Sequence, residues 1–384
     1  MKILYCAIDQ TVPGTTGGSV HVTAVAEGLA RLGHEVHVLA ASGNGPFPSG
    51  AVRWIPMRPP FGAKQLRWMQ TADVARVIDK IKPSAVIERY YNFGGEAISA
   101  AEQADIIKVL EVNAPVIDYP GSIKRMIDLA LIVEPMRRWR ERICRRADLI
   151  VTPNAAILPP DTPPGKIVRL EWGADTNRFR PGVPERPAFE RPAATVAIFA
   201  GAFRRWHGAV HLVRAIRMLH ARGRTDIGAV FVGDGPELPA VKSEAAGLSH
   251  IVFTGAVPHE QMPAHVAAAD IGVAPFDVAA HGPLALGFYW SPLKVFEYMA
   301  GGLPIVAPAV DRIPSLVAHE REGLLYDPST PDGLAAALER LTDPTLRRAL
   351  GAAARERAVR EYSWGAHCEA LSSALEKTRT QSRS

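Results

Sequence analysis

Short β-rich runs alternate with longer segments of helical spacing along almost the whole chain. That alternation constrains the fold more than any other feature. Ile3–Ile8, Val36–Ala40, Ala85–Glu88, Ile106–Glu111 and Leu149–Thr152 read as strands. Between the first two, Val22, Val25, Ala26, Leu29 and Leu32 keep i, i+3, i+4, i+7 spacing, and Gly33-His34 closes that helix. After a Pro-rich patch, PGVPERPAFERPAA, the rhythm restarts. It runs as Val196–Ala200, a helix near Gly208–Leu219, Ile227–Val232, Ile251–Thr254, Ile271–Ala274, a helix from Pro292 and Ile305–Ala307. Such alternation implies parallel sheets with helices on both faces. Two halves joined by a linker predict two Rossmann-like α/β domains, 1–182 and 193–360, with ligands in a cleft at the carboxyl ends of the strands. Tyr362 to about Lys377 reads as a further helix, and TRTQSRS as a frayed tail.

Composition agrees with a packed globular protein, with 47% hydrophobic and 22% charged residues in 384. The net charge of +5 is too small to argue for nucleic acid. Cys6, Cys144 and Cys368 are far apart and odd in number, which excludes a disulfide framework and a CxxC zinc site and fits a reducing compartment. The start MKILYCAIDQTVPG lacks a signal-peptide pattern, and no run of 18 apolar residues occurs. A cytoplasmic protein is expected.

Four loops at predicted strand ends carry the chemistry. In DQTVPGTTGGSVH, Gly17 and Gly18 let the backbone approach a ligand, and the helix that follows offers free N–H groups to an anion. The loop is not GxGxxG, and no acidic residue follows Val36–Ala40 to hold a ribose, which counts against NAD. In SPLKVFEYMAGGLP, Ser291 suits an N-cap and Pro292 the first helical position, and the amides of Leu293 and Lys294 face outward in the first turn. Lys294 suits a phosphate and Glu297, three residues on, a vicinal ribose diol; a local Lys–Glu pair on a capped helix is the plainer alternative. In GAFRRWHG, Arg204 and Arg205 supply cations at the ligand end of a strand, His207 can donate to a phosphate or cap the loop, and Trp206 reads as packing. In VGDGPE, Gly233 and Gly235 serve the turn before any nucleotide.

Taken in order, these loops resemble the retaining GT-B glycosyltransferases of family four, in the branch with an SPLK motif. The resemblance also covers KIVRLEWGADTNRFRP (166–181), RADLIVTPN (146–154) and FTGAVPHEQMPAHVAAADIGVAPF (253–276). It implies a GT-B fold with an acceptor domain at 1–182, a nucleotide-sugar domain at 193–360, and a final helix, 361–384, that crosses back to the first domain. The Gly17-Gly18 loop is similar to the one facing the sugar diphosphate, and Glu297 matches the second glutamate of the family's pair, which holds the donor ribose. The first would fall at Tyr289, and the usual Arg and Lys of the 201–208 loop at Ala202 and His207. These departures shift the expected charge to Arg204, Arg205 and Lys294. Base selectivity would rest around Gly255–Val257 and Pro275–Phe276.

The resemblance implies a transferase moving a sugar, with retention, from a UDP- or GDP-type donor to a hydroxyl acceptor. Leaving oxygens need electrostatic stabilisation, which Arg205, Lys294 and helix amides supply. With no DxD-type motif, metal-independent transfer without a cofactor is expected. In EVNAP (111–115), Glu111 or Asn113 could orient the acceptor hydroxyl and His21 the transferred sugar; loop-holding hydrogen bonds are the alternative for each. A nucleotide-sugar-binding protein without transferase activity and a UDP-sugar epimerase are the rival readings. Residues 122–146 hold eight Lys/Arg against three acids, interspersed with Ile123, Met126, Ile127, Leu131 and Trp139. They read as a basic amphipathic surface for anionic lipid, a weak peripheral contact, or as a solvated helix pair broken near Pro135 and covering the sheet.

Overall fold

Central strands that are buried on both faces read as unbroken apolar runs, and Ile3–Ile8 in KILYCAIDQTV is such a run, with every residue from Ile3 to Gln10 buried. It is an inner strand of the first of two units. The computed structural model describes residues 1–14, 16–101, 105–119, 121–131, 133–182 and 188–381. Residues 183–187 of the Pro-rich patch, Ile132 of the basic segment and the last three residues of the tail lie outside the described residues.

The first unit comprises Met1–Trp172, Tyr289–Ser291 and Trp364–Ser384. Its strands are β1 (Lys2–Val12), β2 (Glu35–Ser42), β3 (Arg53–Pro56), β4 (Ala85–Arg89), β5 (Ile107–Glu111), β6 (Leu149–Thr152) and β7 (Ile167–Arg169). They form one seven-stranded sheet, β3-β2-β1-β4-β5-β6-β7, with parallel pairings. The crossovers hold α1 (Gly17–Arg31), α2 (Thr71–Ile81), α3 (Glu96–Ala100), α4 (Ile123–Ala130) and α5 (Pro135–Arg146).

The second unit comprises Gly173–Phe288 and Pro292–Ser363, so the border falls at Trp172 and Gly173, ahead of the Pro-rich patch. Its strands are β8 (Thr195–Ala200), β9 (Ile227–Val232), β10 (Ile251–Gly255), β11 (Ile271–Val273), β12 (Ile305–Pro308) and β13 (Gly323–Tyr326). They lie in the order β10-β9-β8-β11-β12-β13, again parallel. Its helices are α6 (Ala209–Ala221), α7 (Leu238–Glu244), α8 (Met262–Ala267), α9 (Leu293–Ala300), α10 (Ile313–Leu316), α11 (Gly333–Arg340) and α12 (Pro344–Glu361). A core of Phe199, Phe203, Leu212, Ile216 and Phe231 seals α6 against this sheet.

The last helix, α13 (Trp364–Gln381), belongs to the first unit and packs on α1, as the crossing-back helix requires. The two approach closely at Gly28, where a Cβ would run into Cys368 Sγ. All three cysteines are buried and free. No helix among the described residues is long and apolar enough to cross a membrane.

One helix departs from the expectation of a solvated pair covering the sheet. The break at Pro135 is present, but α4 turns its polar residues inward. Lys124 and Asp128 are buried while Ile123, Met126 and Leu129 are exposed. The reason is local. Asp128 accepts the Met136 and Arg137 N–H groups at 2.7 and 2.9 Å, capping α5 with a carboxylate where free amides and the helix dipole favour one. Lys124 Nζ donates to the Pro115 carbonyl at 2.9 Å.

Candidate functional site

In the second unit the expected phosphate-binding residues gather at the head of α9. That helix docks tightly on the sheet: Tyr298 Oη accepts the Ala200 N–H at 2.6 Å, and Gly272 leaves room for the Tyr298 ring. This places Lys294 against the carboxyl end of β8. Its Nζ is buried, has no hydrogen-bond partner among the described residues, and lies 4.2 Å from the ring centre of Phe199 and 5.6 Å from that of Phe276. Burial pushes the Lys294 ammonium down to about 7, against an upward pull from Glu297. The local Lys–Glu pair is not made. Glu297 Oε1 instead lies 3.0 Å from His259 Nε2.

The N-cap differs from the sequence expectation. The helix begins at Leu293, Pro292 is its N-cap residue, and no side chain caps it. Ser291 cannot cap α9 because its hydroxyl is engaged within the first unit. It donates to Glu171 Oε2 at 2.7 Å and accepts the Trp172 N–H at 3.0 Å.

The 201–208 loop flanks Lys294. Arg204 and Arg205 are exposed, and the Arg204 guanidinium lies 5.9 Å from the Trp206 ring centre. Trp206 stacks on His281 at 4.0 Å, a packing role as expected. His207 Nδ1 lies 2.5 Å from the Ala202 carbonyl, to which the neutral ring donates. Burial and the Lys294 charge push His207 down to about 3, which keeps it neutral at physiological pH. Gly233 has φ 129°, and a Cβ there would collide with the Gly201 carbonyl, so this glycine serves the turn. Val257 is half-buried just beyond β10.

In the first unit, Glu111, Asn113 and His21 come together. Glu111 ends β5 beside Arg89, which ends β4 in register with it. The carboxylate takes hydrogen bonds from Tyr5 Oη and Asn113 Nδ2 and pairs with His21 Nε2, while Arg89 Nη1 lies 3.7 Å away. Burial by itself raises the Glu111 carboxyl, but His21, Arg89 and Tyr5 outweigh it and hold the group below the usual carboxylate range. His21 stacks on Trp172 at 4.4 Å and meets Trp364 and His367 edge-on at 5.3 and 5.6 Å. Asn113 Oδ1 accepts the Trp172 indole N–H at 2.8 Å. Gly17 opens α1 behind its N-cap Thr16, and a Cβ on Gly18 would collide with the Gln10 side chain and come within 3.3 Å of Arg89 Nη2.

Arg89, Trp172 and His367 were not singled out by sequence. Arg89 is nearly buried, its Nε and Nη1 have no hydrogen-bond partner among the described residues, and Asp9 Oδ2 lies 3.9 Å from Nε. Its place directly after the β-rich run Ala85–Glu88 was the available signal. Trp172 and His367 had none, because their neighbours in space are remote in sequence. Among the described residues no group of three or more His, Cys, Asp or Glu could hold a metal ion.

Residues 15–158 match Glycosyltransferase Family 4, and residues 194–343 match Glycosyl transferases group 1. The chain is 33% identical over 214 residues to a GDP-mannose-dependent alpha-(1-6)-phosphatidylinositol monomannoside mannosyltransferase of Mycobacterium tuberculosis, covering 53% of this chain and 54% of the relative. It thus spans about half the length of that relative. It is 26% identical to a phosphatidyl-myo-inositol mannosyltransferase of Mycolicibacterium smegmatis, covering 94% of this chain and 89% of the other. In fold it matches a sucrose-phosphate synthase of Thermosynechococcus elongatus over 100% of both chains, with TM-score 0.75 and 20% identity. With a GT-B pair of parallel-sheet units and both family domains in their usual order, the chain belongs to the family 4, group 1 glycosyltransferases.

Proposed function

We propose that the protein transfers a glycosyl group from a nucleotide-diphosphate sugar to a hydroxyl acceptor, a glycan or a lipid-linked head group, with retention and without a metal ion. The observation that carries this reading is Lys294, a buried amine with no hydrogen-bond partner among the described residues, at the head of a helix whose first amides lack intrahelical partners. A diphosphate would supply the missing acceptor oxygens.

The donor phosphates would lie against Lys294 and the Leu293 and Lys294 amides, with Arg204 and Arg205 on the open side. Positive charge fixed there stabilises the leaving diphosphate as the glycosidic bond lengthens. Glu297 would hold the ribose, and Glu111 with His21 and Asn113 would orient the acceptor. The name of one relative favours a GDP-type donor, GDP-mannose first. Peripheral contact with the cytoplasmic face of a membrane through 122–146 belongs to the same reading, supported by its eight basic residues. Flotation with anionic liposomes at low salt tests it, and absence of binding removes it.

The test of function is thermal shift against GDP-, UDP-, ADP- and TDP-sugars in EDTA, followed by transfer to a glycolipid extract. Stabilisation by one nucleotide class, lost in Lys294→Met, with product formed in EDTA, is the expected result. Binding without transfer or donor hydrolysis would favour the non-transferring reading.

A further inference from the structure

Beneath α4 lies a cavity of about 470 Å³, within the roughly 300–1,000 Å³ typical of small-molecule sites. It contains none of the residues assigned above to the donor or to the Glu111 cluster, and most of its lining comes from the basic segment 122–146. Asp118, Arg125, Leu129, Arg140 and Glu141 are among those that line it. Arg140 is 1% exposed, and its Nη2 meets both carboxylate oxygens of Asp118 at 2.9 and 3.0 Å. Its Nε and Nη1 have no partner among the described residues. A buried guanidinium with idle N–H groups costs free energy until an acceptor oxygen reaches it.

The lining sets three arginines against four carboxylates, one more anion than cation. That gives no net attraction for a phosphate. It does give interleaved donors and acceptors, which is what vicinal hydroxyls need, since each hydroxyl both donates and accepts. The outer face of α4 carries exposed apolar side chains beside Arg125. Ile123, Met126 and Leu129 are 73%, 63% and 66% exposed, followed by Leu131 and Val133 at 53% and 56%. The helix cannot roll over to hide them, because Lys124 and Asp128 are committed to hydrogen bonds on the inner face. Leu129 belongs both to the cavity and to that outer face, so the two are continuous.

We propose that this cavity binds the uncharged polyol head of an amphiphile whose apolar portion lies along α4, with Arg140 and Asp118 reading the head. The head supplies oxygens to the idle Arg140 N–H groups, and the tail covers apolar surface that water now touches. A second copy of the chain would cover the helix and leave the cavity idle; a free sugar would do the reverse. The proposal rests on the transferase reading, for which such an amphiphile is the acceptor class.

Saturation-transfer NMR with octyl glucoside below its micelle concentration, methyl glucoside and octyl phosphate tests it. Octyl glucoside is expected to bind at least tenfold tighter than either. Leu129→Asp should remove the gain from the alkyl chain. Arg140→Lys should weaken the head, with Arg125→Gln at the rim as the variant less exposed to folding loss. Tighter binding of octyl phosphate, or octyl glucoside binding unchanged in all three variants, overturns the proposal. The thermal shift by nucleotide sugar, read on the same proteins, separates the two failures. If it persists while octyl glucoside does not bind, only the cavity proposal falls; if it is absent from the unaltered protein, the transferase reading falls.

Discussion

Glu297 Oε1 lies 3.0 Å from Nε2 of His259, so the carboxylate that would hold a ribose is already oriented by a ring from the loop after β10. The hydrogen bond with Glu297 pushes the His259 pKa up, and burial opposes it. The folded chain therefore holds this proton more tightly than the unfolded chain. The stability contributed is fully present below the ordinary histidine value of about 6.5 and is lost as pH rises through the raised folded value. Glu297→Gln is expected to lower Tm at pH 5.5 to 6 and to change it little at pH 9. Nucleotide-sugar binding should weaken about tenfold at both, which titration calorimetry reads directly.

Lys294 has the opposite sign. Burial lowers its folded pKa to about 7, so between that value and the ordinary lysine value of about 10.4 the unfolded chain binds more protons. Stability rises with pH across this window, and the full cost of the buried charge is felt below it. Lys294→Met should therefore raise Tm most at about pH 6 and progressively less towards pH 10. At pH 8 a diphosphate ligand should draw a proton onto Lys294. The heat of binding would then depend on the ionisation enthalpy of the buffer, and Lys294→Met would abolish that dependence along with most of the affinity.

Glu111→Gln keeps the shape of the side chain and its contacts with Tyr5 and Asn113 but removes the charge facing His21 and Arg89. A loss of about 1–3 kcal/mol in stability is expected from the weakened buried bonds. Turnover should fall about 100-fold or more if the group positions the acceptor hydroxyl. Denaturant melts and steady-state rates on one preparation check it, and equal fractional losses would assign Glu111 to loop packing alone.

Gly233→Ala places a methyl group against the Gly201 carbonyl at a φ of 129°, where side chains are strained. A loss of about 1–3 kcal/mol from the backbone alone, with more from the collision, should appear as a clear drop in Tm. Gly247→Ala, at φ 80° with open space around it, separates the two causes because it carries the strain without the clash.

The central strands were legible because they are buried on both faces, which makes them continuous apolar runs. β1, β4, β6, β8, β9 and β12 all lie where the runs predict. The edge strands β3, β7 and β13 were not, since RWIP, IVR and GLLY are three or four residues long and only partly buried. Lys294 and Glu297 were readable from spacing on one helix. The role of Ser291 was misread because a serine before a proline looks like a cap in any chain, and its true partners, Glu171 and Trp172, are some 120 residues away. The inward polar face of α4 was hidden for the same reason. An inverted helix has the same periodicity as an ordinary one, and only the α5 amides that need Asp128 decide which face turns in.

The aromatic box around His21 has a further consequence. Its walls come from Trp172, from the Ser291 contact that steadies it, and from Trp364 and His367. Each of these stands at or near a point where the chain leaves or re-enters the first unit. The first unit is thus discontinuous in sequence, and no single cut releases it whole. A fragment ending at residue 172 would keep all seven strands and still open one side of its own histidine pocket to water. Any excised or exchanged version of the first unit would have to carry all three stretches of chain together to keep this pocket closed.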